Sequence, residues 1–158
     1  MSASFAEDWA KVFDPAVTES YDADKLPPHV IVHVPSLSLE EYLRLGLPRF
    51  PIAQNLQLHR VVEVERENVE VVYVAPFAMD DEVLDYYKKI LGIGGVEAPH
   101  TRFTVVVPEN VDQFPSHFPL SSILQYSPHA LHRIRQILRG KKGYMVAGYQ
   151  GWQEKRCE

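Results

Sequence analysis

The residues whose types and spacing could do chemistry are seven histidines, Ser36 and Ser38 behind an apolar run, the acids Asp80 and Asp81, Glu109 beside Asn110, and the glycines of the GIGG stretch at 92–95. His29 and His33 have the spacing that chelates a metal from one face of a helix. They stand, however, in PHVIVHVPSLS, Pro28 to Ser38, a β-branched run. On a strand the two would lie roughly 13 Å apart, too far to share an ion, and the expectation is two histidines on one strand face. His129 and His132 sit three residues apart in a helical pattern and could meet His117, but few carboxylates accompany them, and no metal site is assigned. His59 and His100 have no assignable partner. Ser36 and Ser38 follow a strand, where α/β proteins place ligands, yet GxSxG is absent and no His/Asp partner is available. Asp80 and Asp81 read as a helix cap. The GIGG glycines follow a helix instead of joining a strand to one, which argues for a helix stop and against a dinucleotide fingerprint. No catalytic residue and no cofactor follow from these residues.

The elements that would position them are strands alternating with helices. After the first run come Val69 to Pro76 (VEVVYVAP), Phe103 to Pro108 (FTVVVP) and Tyr144 to Ala147 (YMVA), with helical patterns between them. That cadence predicts an α/β fold, a Rossmann-like three-layer domain with a mostly parallel sheet of about four strands. Val30, Ile31, Val32 and Val34 show little alternation, as expected of a strand covered on both faces. Ser38 with Glu41 three residues on resembles a capping box for LEEYLRL, ending at Gly46. Pro51 suits the first turn of a second helix, through Ile52 to about Arg66. Val83, Leu84, Tyr87 and Leu91 are the expected buried stripe of DDEVLDYYKKIL, which Gly92 ends. Ser127-Pro128 opens a last helix, with Leu131, Ile134, Ile137 and Leu138 toward the core and Gly140 as its stop.

One domain accounts for 158 residues of which 46% are apolar. The single Cys157 excludes a disulfide framework and any multi-thiolate zinc site. No run spans a bilayer and the N-terminus does not read as a secretory signal, so a cytoplasmic protein without a membrane partner is expected. The net charge of −5 is unevenly placed. Residues 1–28 form an acidic arm in which Phe5, Trp9, Val12 and Phe13 fall near one helical face. Between Gln113 and Gln153 there is no acid, while Arg133, Arg135, Arg139, Lys141 and Lys142 make a basic end. A solvated helix face whose cations suit the helix dipole explains that end. An anionic partner is the other reading, whether phosphate, an acidic protein or nucleic acid in the form of RNA.

The order VPSLSLEE, VVYVAP with Asp85-Tyr86-Tyr87 in the helix that follows, FTVVVPEN, then PLSSILQYSPHALHRIRQIL resembles the N-terminal pre-ATP-grasp domain of ATP-grasp carboxylate-amine ligases. It is most like the version carried by IQ-motif-containing proteins, over about residues 29–156. The resemblance implies a Rossmann-like domain that stands before two ATP-grasp lobes. Those lobes carry the groups that hold Mg-ATP, and the chain reaches Glu158 before any of them. No catalytic residue carries over. The ending, just after a strand that the fold would follow with a helix, reads as that of a truncated or alternatively ended product. For calmodulin, Ile134 to Gly140 (IRQILRG) has the isoleucine and the later Arg139 and Gly140, but Arg135 replaces the glutamine and Tyr144 a base. A basic core helix is expected there instead of a calmodulin target.

Two functions follow as expectations. The first is a non-catalytic protein-interaction or assembly module, placed by the resemblance in a ciliary or flagellar axonemal complex, with Phe5, Trp9, Phe13 and the basic end facing a protein partner. The second is a piece of an ATP-dependent ligase whose lobes lie elsewhere. A small ligand would sit beyond the strand ends, near Ser36, Ser38, Pro76, Asp80, Glu109 and Asn110.

Overall fold

The computed structural model describes residues 27–149. Four strands, β1 (His29–Leu37), β2 (Val69–Val74), β3 (Phe103–Val106) and β4 (Lys142–Tyr149), form one sheet in the order β3-β2-β1-β4. All three pairings are parallel. The chain places β2 and β3 to one side of β1 and then crosses back to lay β4 on the other, so the strand order reverses between β1 and β4. The first strand therefore lies inside the sheet, as its unalternating valines predict.

Helices cover both faces and divide the core in two. On one face Val30, Val32, Val34, Val72, Val74 and Val106 meet α5 (Leu120–Gln125) and α6 (Pro128–Leu138) through Leu120, Leu124, Leu131, Ile134 and Leu138. On the other, Ile31, Val69, Val71, Tyr73 and Phe103 meet the segment after α2 (Phe50–Asn55) and the helix α3 (Asp81–Ile93) through Leu58, Val61, Val64 and Leu91. Alternate residues of each strand serve opposite layers, which is why the runs are apolar at nearly every position.

The crossovers differ from the sequence pattern in four places. The capping box does not form: α1 (Glu41–Gly46) starts after Glu40 with no side-chain cap, and the Ser38 hydroxyl instead lies 3.3 Å from that of Ser36. Beyond α2 the chain tightens into a 3₁₀ helix, Leu56–Glu65, because Leu58, Val61 and Val64 are buried every third residue, the period of three per turn. Helix α3 runs past Gly92 to Ile93, with Gly94 at its end and Gly95 at a φ of 90°; its stripe is Leu84, Tyr87 and Leu91, while Val83 is exposed. A one-turn helix, α4 (Pro99–Arg102), precedes β3, and β4 is twice as long as YMVA suggests. Asp80 does stand at the start of α3, but through its backbone carbonyl, which accepts from Val83 and Leu84. Among the described residues no helix is long and apolar enough to cross a membrane.

Candidate functional site

In a parallel sheet whose order reverses between β1 and β4, the ligand position is the crevice outside the carboxyl ends of those two strands. Pro35 decides the local geometry on the β1 side. Having no N–H it cannot extend a ladder, and the β1–β4 register shifts between Val34 and Leu37, beyond the last β2 partner of His33. The irregularity turns the Ser36 side chain inward, where it is fully buried.

Three side chains then fill the place a ligand would take. The Ser36 hydroxyl lies 2.9 Å from the Ser121 hydroxyl and accepts the Ser121 backbone N–H at 3.2 Å. Gln54, buried on α2, accepts from the Leu120 N–H at 2.9 Å and the Leu37 N–H at 3.2 Å through Oε1, while its Nε2 reaches the Phe118 carbonyl at 3.5 Å. Two of the free donors of the first turn of α5, those of Leu120 and Ser121, which an anion would otherwise attract, are thus taken by the chain's own oxygens. On the β4 side Gly148 closes the gap: a Cβ there would stand 2.3 Å from the Ser36 carbonyl oxygen. The Ser38 N–H donates to Tyr149 and Arg60 to the Ala147 carbonyl, so the two strand ends are bridged directly.

Of the expected ligand residues, Ser36 and Ser38 share this network and the others do not join it. Glu109 accepts the backbone N–H groups of His129 at 2.7 Å and Ala130 at 3.0 Å, capping α6 from outside the helix. These donors hold its carboxyl below the usual range although burial acts in the opposite direction. Asn110 donates to the Tyr126 carbonyl and accepts from Gln113. Pro76 is buried and Asp80 exposed on the β2–α3 loop. Gln54 and Ser121 carry most of the network, and the pattern did not single them out. The signal for Gln54 is its place on the helical stripe Phe50, Gln54, Leu58, all three of which are buried.

The histidines stay apart. His29 bonds to the Pro27 carbonyl and packs edge-on against Tyr144. His33 is fully buried, with Glu63 3.6 Å from its Nε2, and His132 pairs with Gln136. Among the described residues no group of three or more His, Cys, Asp or Glu is placed to hold a metal ion. The basic residues lie at the end of the sheet opposite the crevice, on α6 and at the start of β4. Lys141 is bound there by both oxygens of Glu70 at 2.7 Å. Phe5, Trp9 and Phe13 fall outside the described residues.

Known proteins add one relationship. The chain is similar to IQ motif-containing protein H of Danio rerio. The two are 38% identical over 129 residues, which is 75% of this chain and 12% of that relative, so the chain spans about an eighth of the length of the protein it matches. No family model and no solved structure matches. The stretch that most resembles an IQ motif lies on α6 with Ile134 and Leu138 in the core. A calmodulin lobe would have to unfold the helix to reach them.

Proposed function

We propose that the chain is a non-catalytic protein-interaction module with the architecture of a pre-ATP-grasp domain, acting in assembly and not in ligand turnover. The observation that carries this reading is the filled crevice: the position at which this topology takes a small molecule is occupied by Ser36, Gln54 and Ser121, with the Ser121 N–H held by the Ser36 hydroxyl and the Leu37 and Leu120 N–H groups by Gln54. What remains available is protein surface. Helix α1 has no buried residue at all, and Tyr42, Leu45, Ile52 and Leu56 on the consecutive elements α1, α2 and the 3₁₀ helix are exposed. Apolar side chains gathered in one stretch of surface favour a macromolecular partner. The likeness to an IQ motif-containing protein agrees with a protein partner, and we assign the complex to a cilium or flagellum on the family resemblance. The acidic arm, with Phe5, Trp9 and Phe13, is a second partner-facing segment in this reading.

The test is proximity labelling in ciliated cells with the full chain, a Leu45→Asp/Leu56→Asp variant and a chain lacking residues 1–28. A set of neighbours shared by repeat experiments, lost in either variant at unchanged melting temperature, is the expected result. Stabilisation of the chain by Mg-ATP would overturn it in favour of a ligase piece, since a ligand at about a hundred times its Kd stabilises by about 2.7 kcal/mol.

A further inference from the structure

The sheet has a second exposed feature, far in kind from the apolar face of α1. Strand β3 is an edge strand, paired only with β2 among the described residues. Its outer side opens into a groove of about 320 Å³ lined by Leu84, Lys88, His100, Thr104, Val105 and Arg133. Thr104 pairs in register with Val72 and Val105 with Tyr73, so the groove wraps the strand edge from one face of the sheet to the other. Lys88 stands on α3, over one face, and Arg133 on α6, over the other.

The cations lining this groove are weakly used. Arg133 and His100 make no hydrogen bond or ion pair among the described residues, and Lys88 has only an exposed contact with Asp85 at 3.6 Å on its own helix. An edge strand presents unpaired N–H and C=O groups to an incoming strand. Extended segments add to such edges by backbone hydrogen bonds, with alternate side chains read by the flanking surfaces. A segment laid along β3 would send its side chains alternately toward Lys88 and toward Arg133.

We propose that the outer edge of β3 takes up an extended acidic segment of a partner protein as a fifth strand, its carboxylates held by Lys88 on one face and Arg133 on the other. The apolar parts of Leu84 and Val105 receive the intervening side chains. This deepens the interaction-module reading by naming the chemistry of one partner. It concerns a surface that the Leu45 and Leu56 substitutions leave untouched, so the two can fail separately.

The experiment is fluorescence anisotropy of the full chain with a short synthetic peptide of repeating Val-Val-Glu-Glu, which in extended form puts a carboxylate and a valine in turn on each face. Its controls are the same peptide with Lys for Glu and the same peptide N-methylated at alternate backbone nitrogens. Binding of the Glu peptide alone, weakened about tenfold or more by Lys88→Glu/Arg133→Glu and abolished by N-methylation, is the expected result. Absence of binding overturns the proposal, and so does binding that survives N-methylation, which would be charge attraction without strand pairing. Binding that emerges only after Glu19→Gln, Asp22→Asn and Asp24→Asn would assign the groove to the chain's own acidic residues and likewise overturn an external partner. So would dimerisation in sedimentation runs that Lys88→Glu/Arg133→Glu abolishes, which would make a second copy the occupant.

Discussion

The Ser36 hydroxyl lies 2.9 Å from that of Ser121, across 85 residues of chain, and accepts the Ser121 backbone N–H as well. The pair joins the end of the first strand to the first turn of the helix that leads toward the last strand. In a nucleotide-binding protein of this topology, a phosphate would receive those helix donors. Here a serine does, and Gln54 receives the neighbouring one. Substituting a side chain for the ligand turns a binding crevice into a structural joint.

Gln54 is the test of that joint. Gln54→Ala leaves the N–H groups of Leu37 and Leu120 unpaired in the interior, and a buried group left unsatisfied costs about 1–3 kcal/mol. A loss on the order of 3 kcal/mol is expected from urea unfolding, as a lower midpoint at unchanged slope. Gln54→Leu restores the volume but not the acceptor, and should still cost about 2 kcal/mol. Full recovery by leucine would show that Gln54 acts by packing alone.

Two glycines should respond in opposite directions. At Gly148 an added Cβ meets the Ser36 carbonyl oxygen at 2.3 Å and the Pro35 carbonyl carbon at 3.0 Å, both backbone atoms that cannot swing away. Gly148→Ala should destabilise by about 1–3 kcal/mol or more. At Gly46, the last residue of α1, nothing lies within 4 Å of the added carbon. Gly46→Ala there should stabilise by about 0.5 kcal/mol through the lower entropy of the unfolded chain. Thermal melts of the two variants beside the parent decide both.

Glu109 gives a third expectation. Removing the cap with Glu109→Ala should cost about 1 kcal/mol, seen as a lower urea midpoint. Burial acts to raise this carboxyl, and the backbone N–H groups of His129 and Ala130, with the influence of the His129 ring, together outweigh it and lower the carboxyl below its ordinary value. A depressed carboxylate stabilises the fold fully above its unfolded pKa, about 4.3 for glutamate. That contribution is lost as pH falls through the lower folded value. The gap between parent and Glu109→Gln should therefore be constant near neutrality and close at acid pH. A gap that widens on acidification would contradict the capping geometry.

The fold was legible because the strands are undiluted runs of β-branched residues and the helices between them carry prolines and glycines near their ends. The joint was less so, for definite reasons. Ser36 was visible as a serine after a strand, but its partner Ser121 lies far along the chain, and only the closed topology brings them together. Glu109 looks like a loop acid because its helix starts only at Pro128, far along the chain. Ile52 to about Arg66 reads as an α-helix, with Val61 to Glu65 alternating as a strand would, and the 3₁₀ period of three observed over Leu56–Glu65 falls between the two. Val83 lies one position off the stripe formed by Leu84, Tyr87 and Leu91, a distinction that only the orientation of α3 against the sheet makes.

His33 carries the last prediction. Its ring is fully buried in β1, neither nitrogen has a hydrogen-bond partner among the described residues, and the Glu63 carboxylate at 3.6 Å is too distant for a hydrogen bond and close enough for a charge contact. Burial pushes the Glu63 carboxyl up, and the His33 ring, followed by Arg66 and Arg60, outweighs it, so the group sits below its usual value. Replacing an unsatisfied buried polar ring by an apolar side chain of similar size is neutral or stabilising. At acid pH, where Glu63 is protonated, His33→Leu should keep or raise the urea midpoint, while near neutral pH it also forfeits the contact that favours the Glu63 charge, so the variant compares best with the parent on the acid side. The same change removes the main influence that lowers Glu63 and leaves the burial, so the carboxyl must titrate at higher pH. In the parent the Glu63 contribution is present above the ordinary glutamate value and lost as pH falls through the depressed one; in His33→Leu this acid-side loss disappears. Carboxyl carbon shifts of Glu63 followed by NMR from neutral to acid pH measure it directly. An unchanged or lower midpoint of titration in His33→Leu would show that Arg60 and Arg66, and not the histidine, hold the carboxylate charged.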